Sequence, residues 1–556
     1  MSNRRDFLKK AGFVAAVSGL QQALPFNTLA AEAKTAGEPE VKASSDYAVV
    51  ETTDGKIRGY SKNGVFTFKG IPYGESTAGK NRFMPPVKKQ SWDGVKDALV
   101  YGPICPQKAN DGWLAQEYGF LYQWIDGYQN EDCLRLNVWS PKINDGKKRP
   151  VMFWIHGGGF FAGSSQEHPS YEGENLSRKG DVVVVSVNHR LNIFGFFDLS
   201  QYGSQYKYSG NVGMLDLVAA LEWVRDNIGR FGGDKNNVTI FGQSGGGAKV
   251  ITLMAMPSAK GLFHKAISQS NSIVQVSVPE YSQRITKQVL LELGLNENNI
   301  AALHDLETSR LLSAIAAADK KLGSKVPKGV GRAGLQPVVD GEVLPAHPFD
   351  PVAPPLSSDM PFMVGTTRNE ASASINNPAA ENLDEGGLKK QVNDRFGKSG
   401  DEIYKVLRKV HRQAKPVEIL SFISAQNSMA YLQAERKSAQ QAPVYLYRFD
   451  WKTPVLDGRP RSFHCSEIPF AFANTSKAEN YTGNSDDAQK LAAKVSQAWI
   501  NFARSGDPNH TGLPDWPDFK DQKGAMMVFD DQCKVSIDPD HEARLILQRV
   551  FYNKDI

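Results

Sequence analysis

Val238-Thr239-Ile240-Phe241-Gly242-Gln243-Ser244-Gly245-Gly246-Gly247 passes from a β-branched apolar run into a cluster of glycines, and residues 249–256 behind it have helical composition. Strand, sharp turn, helix is the predicted order. G-x-S-x-G alone is a weak signal, because glycine and serine are common, but this setting gives it force. A serine on such a turn is held in a strained backbone conformation with its hydroxyl projecting beyond the sheet, and glycines on either side carry no Cβ to clash. A phosphate-cradling loop is the competing reading, yet Lys249 stands too far along and G-x-x-x-x-G-K-[ST] is absent. Ser244 is the candidate nucleophile.

Upstream, Val151-Met152-Phe153-Trp154-Ile155 and Val182-Val183-Val184-Val185-Ser186-Val187 are apolar runs without alternation, the pattern of strands covered on both faces in a parallel sheet. Leu217, Leu221, Val224 and Ile228 recur at helical spacing, with Gly232-Gly233-Asp234 as the following turn. Further strands are predicted at 266–269, 362–365 and 444–449, and a long helix at about 487–504. Alternating strands and helices specify an α/β fold, a large, mostly parallel central sheet flanked by helices. The proline-rich stretch 345–361 and the polar stretch 369–387 read as irregular insertions.

A serine hydroxyl needs a base to take its proton, and the oxyanion that develops needs preorganised N–H donors. His156-Gly157-Gly158-Gly159-Phe160 directly follows the strand that ends at Ile155. Three glycines let the backbone approach a ligand closely with its amides facing it.

The 556 residues are 41% hydrophobic and 22% charged, which excludes a disordered chain or a coiled coil. The formal charge of +5 falls partly on the first 33 residues, and the near-neutral remainder has no basic run. Nucleic acid is therefore not an expected partner. Asn3-Arg4-Arg5-Asp6-Phe7-Leu8-Lys9, the mildly apolar stretch 11–24 and Ala31-Glu32-Ala33 resemble a bacterial twin-arginine signal peptide. That apolar stretch contains Ser18, Gln21 and Gln22 and falls short of the roughly 20 residues that a spanning helix needs. Residues 1–33 are expected to engage the twin-arginine export machinery and be cleaved, giving a periplasmic or secreted protein without stable membrane insertion. Residues 34–46 read as a polar linker, and 47–556 as a single domain.

The serine turn and the glycine run together resemble the type-B carboxylesterase family of the α/β-hydrolase fold, which includes bacterial carboxylesterases and the cholinesterases. Glu131-Asp132-Cys133-Leu134-Arg135-Leu136-Asn137-Val138 and Asn211-Val212-Gly213-Met214-Leu215-Asp216 are similar to further family signatures. The resemblance covers nearly all of the chain after the linker. It implies hydrolysis of carboxylic esters through an acyl-serine intermediate, with no metal and no cofactor, and backbone amides of Gly158, Gly159 and Gly245 as the oxyanion hole. In this fold the base follows the acid, which follows the serine. His464, in Phe463-His464-Cys465-Ser466-Glu467, is the expected base, while His411 and His510 read as solvated. Glu370, in Thr366-Thr367-Arg368-Asn369-Glu370, is the expected acid. Asp340 looks like a turn residue, and Glu467 like a helix-starting residue or one that supports the site from behind rather than the acid itself.

The usual family elbow reads G-E-S-A-G, and this chain departs from it at Gln243 and Gly245. Glycine at 245 keeps the backbone N–H, so that change is expected to be harmless. Gln243 removes an anion that in cholinesterases favours a cationic substrate, which makes a choline ester a poor first guess. Four cysteines occur and none forms a C-x-x-C pair, so a zinc site is not expected. The family resemblance implies a disulfide between Cys105 and Cys133, worth about 3 to 4 kcal/mol in the chain-entropy description. Cys465 and Cys533 are a second candidate pair, with free thiols as the alternative. Two rivals remain: a non-catalytic, cholinesterase-like binding protein, which commonly lacks a triad residue, and a serine hydrolase of lactones or other acyl substrates.

Overall fold

The computed structural model describes residues 40–108, 114–323 and 334–553. The expected signal segment lies outside them. Fifteen strands occur in these residues: β1 (Val41–Lys42), β2 (Val49–Glu51), β3 (Lys56–Arg58), β4 (Tyr60–Lys62), β5 (Val65–Pro72), β6 (Val95–Asp97), β7 (Arg135–Ser140), β8 (Arg149–Ile155), β9 (Val183–Val187), β10 (Gly233–Gln243), β11 (Lys265–Gln269), β12 (Phe362–Thr367), β13 (Val444–Phe449), β14 (Ala525–Phe529) and β15 (Lys534–Ile537). Twelve of them make one sheet in the order β1-β4-β5-β7-β9-β8-β10-β11-β12-β13-β14-β15. From β9 to β14 every pairing is parallel, and antiparallel strands extend both edges. This is the large, mostly parallel sheet of the α/β-hydrolase fold.

The unbroken apolar runs are explained by two cores, one on each face. Along β8, Val151, Phe153 and Ile155 enter one buried cluster, while Met152 and Trp154 enter the other. Successive side chains of a strand point to opposite faces, so a strand covered on both sides has no polar position to spare. Trp154 packs against Tyr171, Phe241 and Phe472, each with ring centroids 5.0 Å away. Such pairs add about 0.5 to 1.5 kcal/mol each beyond their buried area.

The helix Asp486–Ser505 shows the same logic at 3.6-residue spacing: Leu491, Val495, Trp499 and Phe502 are buried along one stripe. Ser485 caps its start by accepting the Ala488 N–H, acidic Asp486 and Asp487 occupy the first turn, and Gly506 ends it in the left-handed region. A smaller satellite core lies among the helices Glu385–Phe396, Gly400–Val410, Pro416–Phe422 and His541–Gln548.

Two boundaries differ from the sequence reading. Val41 and Lys42, read as linker, pair antiparallel with Lys62 and Ser61 at the sheet edge, because strand pairing uses the backbone and tolerates polar side chains there. The polar residues after Gly232 are not a simple turn, since β10 begins at Gly233 opposite Arg149 and re-registers at Val238. Glu40–Ile556 forms one compact unit. No described helix is long and apolar enough to cross a membrane.

Candidate active site

β10 delivers Ser244 to the carboxyl end of the sheet, and the helix Gly245–Met254 starts at the next residue. Ser244 has φ 57° and ψ −120°, a region that costs a non-glycine residue on the order of 1 to 3 kcal/mol. The surroundings hold it there: its N–H donates to the Gln269 carbonyl at 2.8 Å, and its own carbonyl accepts the Ala248 N–H at 3.1 Å.

The candidate acid and base arrive from two neighbouring strands. β12 ends at Thr367 and β13 at Phe449, and the loops beyond them pair where the Asn369 N–H donates to the Ser462 carbonyl at 2.9 Å. That contact sets the Glu370 carboxylate against His464. His464 Nδ1 is hydrogen-bonded to Glu370 Oε2, and the other carboxylate oxygen accepts the Thr367 N–H at 2.9 Å. Tyr122 Oη donates to the His464 carbonyl at 2.6 Å, fixing the backbone behind the ring. Burial opposes a charge on His464, but the Cys465 thiol and the Glu370 carboxylate outweigh it and hold the imidazole above its ordinary pKa. The Gln243 amide nitrogen lies 3.3 Å from His464 Nε2, and Gln243 Oε1 accepts the Cys465 thiol at 3.2 Å.

Gly158 and Gly159 both adopt positive φ, 77° and 64°, which turns the loop after β8 back toward the elbow. A Cβ built on Gly245 would stand 2.3 Å from the Gly159 nitrogen. The two backbone segments thus touch, and only glycine fits at 245. The glycine at 245 therefore does more than keep its N–H: the Gly159 backbone occupies the space that an alanine methyl group would need.

Ser244, His464, Gln243, Cys465 and residues 157–159 line one cavity of about 570 Å³. Trp124, Phe161 and Tyr171 supply apolar walls, and Leu114 and Ile125, which are 44% and 49% exposed, also line it. Glu167 reaches the same cavity, and burial pushes its carboxyl up to about 7.

Of the other residues singled out from the sequence, Cys465 lines the cavity and the rest stand outside its lining. Asp340 Oδ1 accepts the N–H groups of Glu342 and Leu344, as a turn aspartate does. Glu467 precedes the helix Ile468–Ala471 without capping it; it is fully buried, accepts a hydrogen bond from Gln269 at 3.2 Å, and burial, aided by the Glu370 charge, pushes it up to about 7. His411 is not freely solvated, because its ring packs on Phe422 at 4.5 Å. His510 donates to or accepts nothing from the cavity; its Nε2 bonds the Lys494 carbonyl. All four cysteines are free thiols. The bridge expected between Cys105 and Cys133 is not formed, although both thiols are buried and the neighbouring Cys105, together with burial, raises the Cys133 pKa well above its usual value. Nor is the second pair bridged: Cys465 bonds Gln243, while Cys533 bonds the Asp530 carbonyl.

The family model described as Carboxylesterase family matches residues 46–544. The para-nitrobenzyl esterase of Bacillus subtilis is 35% identical over 91% of this chain and 99% of its own length, and the phenmedipham hydrolase of Pseudarthrobacter oxydans 33% over 89% and 98%. Among solved structures, a Clostridium hathewayi esterase described as hydrolysing aliphatic aromatic polyesters superposes with a TM-score of 0.79 at 37% identity, covering 93% of this chain and all of that one. A carboxylesterase of Geobacillus stearothermophilus gives 0.75 at 36%, covering 90% and 100%. Matched over most of its length by the family model, by these relatives and by these structures, the chain belongs to the carboxylesterase family and is a serine hydrolase of carboxylic esters.

Proposed function

We propose that Ser244 is the residue acylated during ester hydrolysis, with His464 as its base, Glu370 as the acid that orients the base, and the amides of Gly158, Gly159 and Gly245 as the oxyanion hole. The observation that carries this reading is the convergence of the strained serine, the Glu370–His464 pair and the glycine loop on one cavity. Glu370 keeps the proton of His464 on Nδ1, so that the lone pair of Nε2 accepts the Ser244 hydroxyl proton as Oγ attacks the acyl carbon. The three amides stabilise the oxyanion. Nε2 then protonates the departing alcohol, and the ester C–O bond breaks to leave acyl-Ser244. A water molecule gives its proton to Nε2 and attacks the acyl carbon, and the serine oxygen leaves with that proton. An organophosphate tests the assignment: one covalent addition is expected on the peptide containing Ser244, and labelling of another residue refutes it.

The substrate reading is a neutral ester with an apolar or aromatic group. Trp124, Phe161 and Tyr171 wall the cavity, Gln243 stands where cholinesterases carry an anion, and the relatives are named for para-nitrobenzyl esters and aliphatic aromatic polyesters. A higher kcat/KM for butyrylthiocholine than for a neutral thioester of equal acyl length contradicts it.

Export by a twin-arginine signal in residues 1–33 is proposed from Arg4-Arg5 and the apolar stretch behind them. Twin-arginine export carries folded protein, so the Cys105 and Cys133 thiols, already close enough for one to raise the other's pKa, are proposed to oxidise only after arrival in an oxidising compartment. Maleimide counting checks this: protein made in a reducing cytosol should be folded and active with both thiols free, and exported protein should have lost both.

A further inference from the structure

Lys249 stands five residues after Ser244 on the helix Gly245–Met254 and is fully buried, which is rare for lysine unless its ammonium has partners. The partners are two backbone carbonyls. Lys249 Nζ donates to the carbonyl of His156 at 3.1 Å and to that of Gly157 at 3.4 Å. These carbonyls lie where β8 runs into the glycine loop. The peptide unit that carries the Gly157 carbonyl carries the Gly158 N–H on its other side, and in a planar trans peptide the two point in opposite directions. Anchoring the carbonyl therefore fixes the direction of the N–H.

We infer that Lys249 is a positioning residue for the oxyanion hole: by holding the carbonyls of His156 and Gly157 from behind, it aims the Gly158 N–H at the developing oxyanion. The inference rests on the oxyanion assignment proposed above. A donor to the carbonyl also polarises the peptide and strengthens the N–H opposite.

Lys249 shares the Gly157 carbonyl with His156 Nδ1, which lies 3.1 Å from it, and is the group that joins that carbonyl to the His156 carbonyl. His156 and His189 stack at 5.1 Å, and burial first, then the Lys249 charge, holds both rings well below their ordinary pKa, so they are neutral. Glu167, on the cavity side, is the carboxylate that acts on Lys249; burial pushes the lysine down to about 7, and Glu167 opposes that shift. Loss of the ammonium proton does not end the role, because a neutral amine keeps two N–H donors for two carbonyls.

The test compares an ester with the thionoester in which sulfur replaces the carbonyl oxygen, since sulfur accepts hydrogen bonds poorly and the oxygen-to-sulfur rate ratio reports the oxyanion hole. Lys249→Met is expected to lower kcat for the ester about tenfold, with KM nearly unchanged, and to shrink the oxygen-to-sulfur ratio by a similar factor; this is less than the 10²- to 10³-fold of a deleted donor, because the N–H is misaimed rather than removed. Lys249→Gln, which restores an N–H donor without the charge, should recover part of both and is read instead if the Met variant does not fold. An unchanged oxygen-to-sulfur ratio in the folded Met variant overturns the role of Lys249; where only the Gln variant folds, a kcat and a ratio both equal to wild type's overturn it. A wild-type ratio no larger than that of the uncatalysed hydroxide reaction overturns the oxyanion assignment itself.

Discussion

The two sides of the cavity are built from different materials. Around Glu370 and His464 the geometry is made by side chains: a carboxylate, an imidazole, the Tyr122 hydroxyl and the Gln243 amide. Opposite them, the loop at Gly158 and Gly159 presses on the elbow at Gly245 through backbone alone. The difference teaches where each is vulnerable. A side-chain site is lost by deleting an atom group; a backbone donor is not itself deleted that way, and is displaced by adding a group or loosened by removing its anchor.

The largest effect belongs to the side-chain half. Ser244→Ala and His464→Ala are each expected to lower kcat by about 10⁴-fold or more, with the double variant little worse than either, because the residues act as one unit. Additive losses, or a fully active Ser244→Ala, break the assignment. Glu370→Gln is expected to cost up to about 10⁴-fold by leaving His464 in the wrong tautomer. It should also move the acid limb of kcat/KM to lower pH: the Glu370 anion helps hold the His464 pKa up, so removing it lowers the pKa, and the neutral base survives to more acidic conditions. An acid limb that stays put or rises separates Glu370 from the base.

On the backbone side the expected loss is smaller but comes from an addition. Gly245→Ala restores the elbow's usual family residue, yet its Cβ would meet the Gly159 nitrogen, oxygen and Cα at 2.3 to 2.4 Å. Displacing that loop far enough to take a donor out of reach should cost about 10²- to 10³-fold in kcat, the range for one lost oxyanion donor. Wild-type kcat in Gly245→Ala means that the loop gives way freely, and the contrast between the two sides fails.

The same contrast explains what was legible in the sequence. The elbow and the glycine run each fit within about ten contiguous residues, so local chemistry announces them, and the apolar runs of β8, β9 and β13 mark their strands because both faces are covered. Glu370 and His464 needed chain order and family resemblance, because the loop contact that joins them is invisible to local pattern. The glycine at 245 was read for the donor it keeps and not for the space it leaves, since the position of Gly159 is a tertiary fact. Lys249 looked only like a misplaced phosphate-loop lysine, as nothing in its neighbours announces two carbonyls from residues 93 and 92 positions away. The cysteine pairing followed the family; the two thiols are buried and neighbouring, but oxidation state is a matter of compartment.

Ser244, Glu370 and His464 hang from the ends of β10, β12 and β13, with β11 between the first two. Gln243 and His464, which touch, are 221 residues apart in the chain. Contacts of such separation form late, because the loop-closure entropy is spent before they return anything. Esterase turnover is therefore a clock for the end of folding: during refolding, helical signal and tryptophan burial can be complete in a population that hydrolyses nothing, and the first released product marks the molecules in which the parallel sheet has closed across its centre.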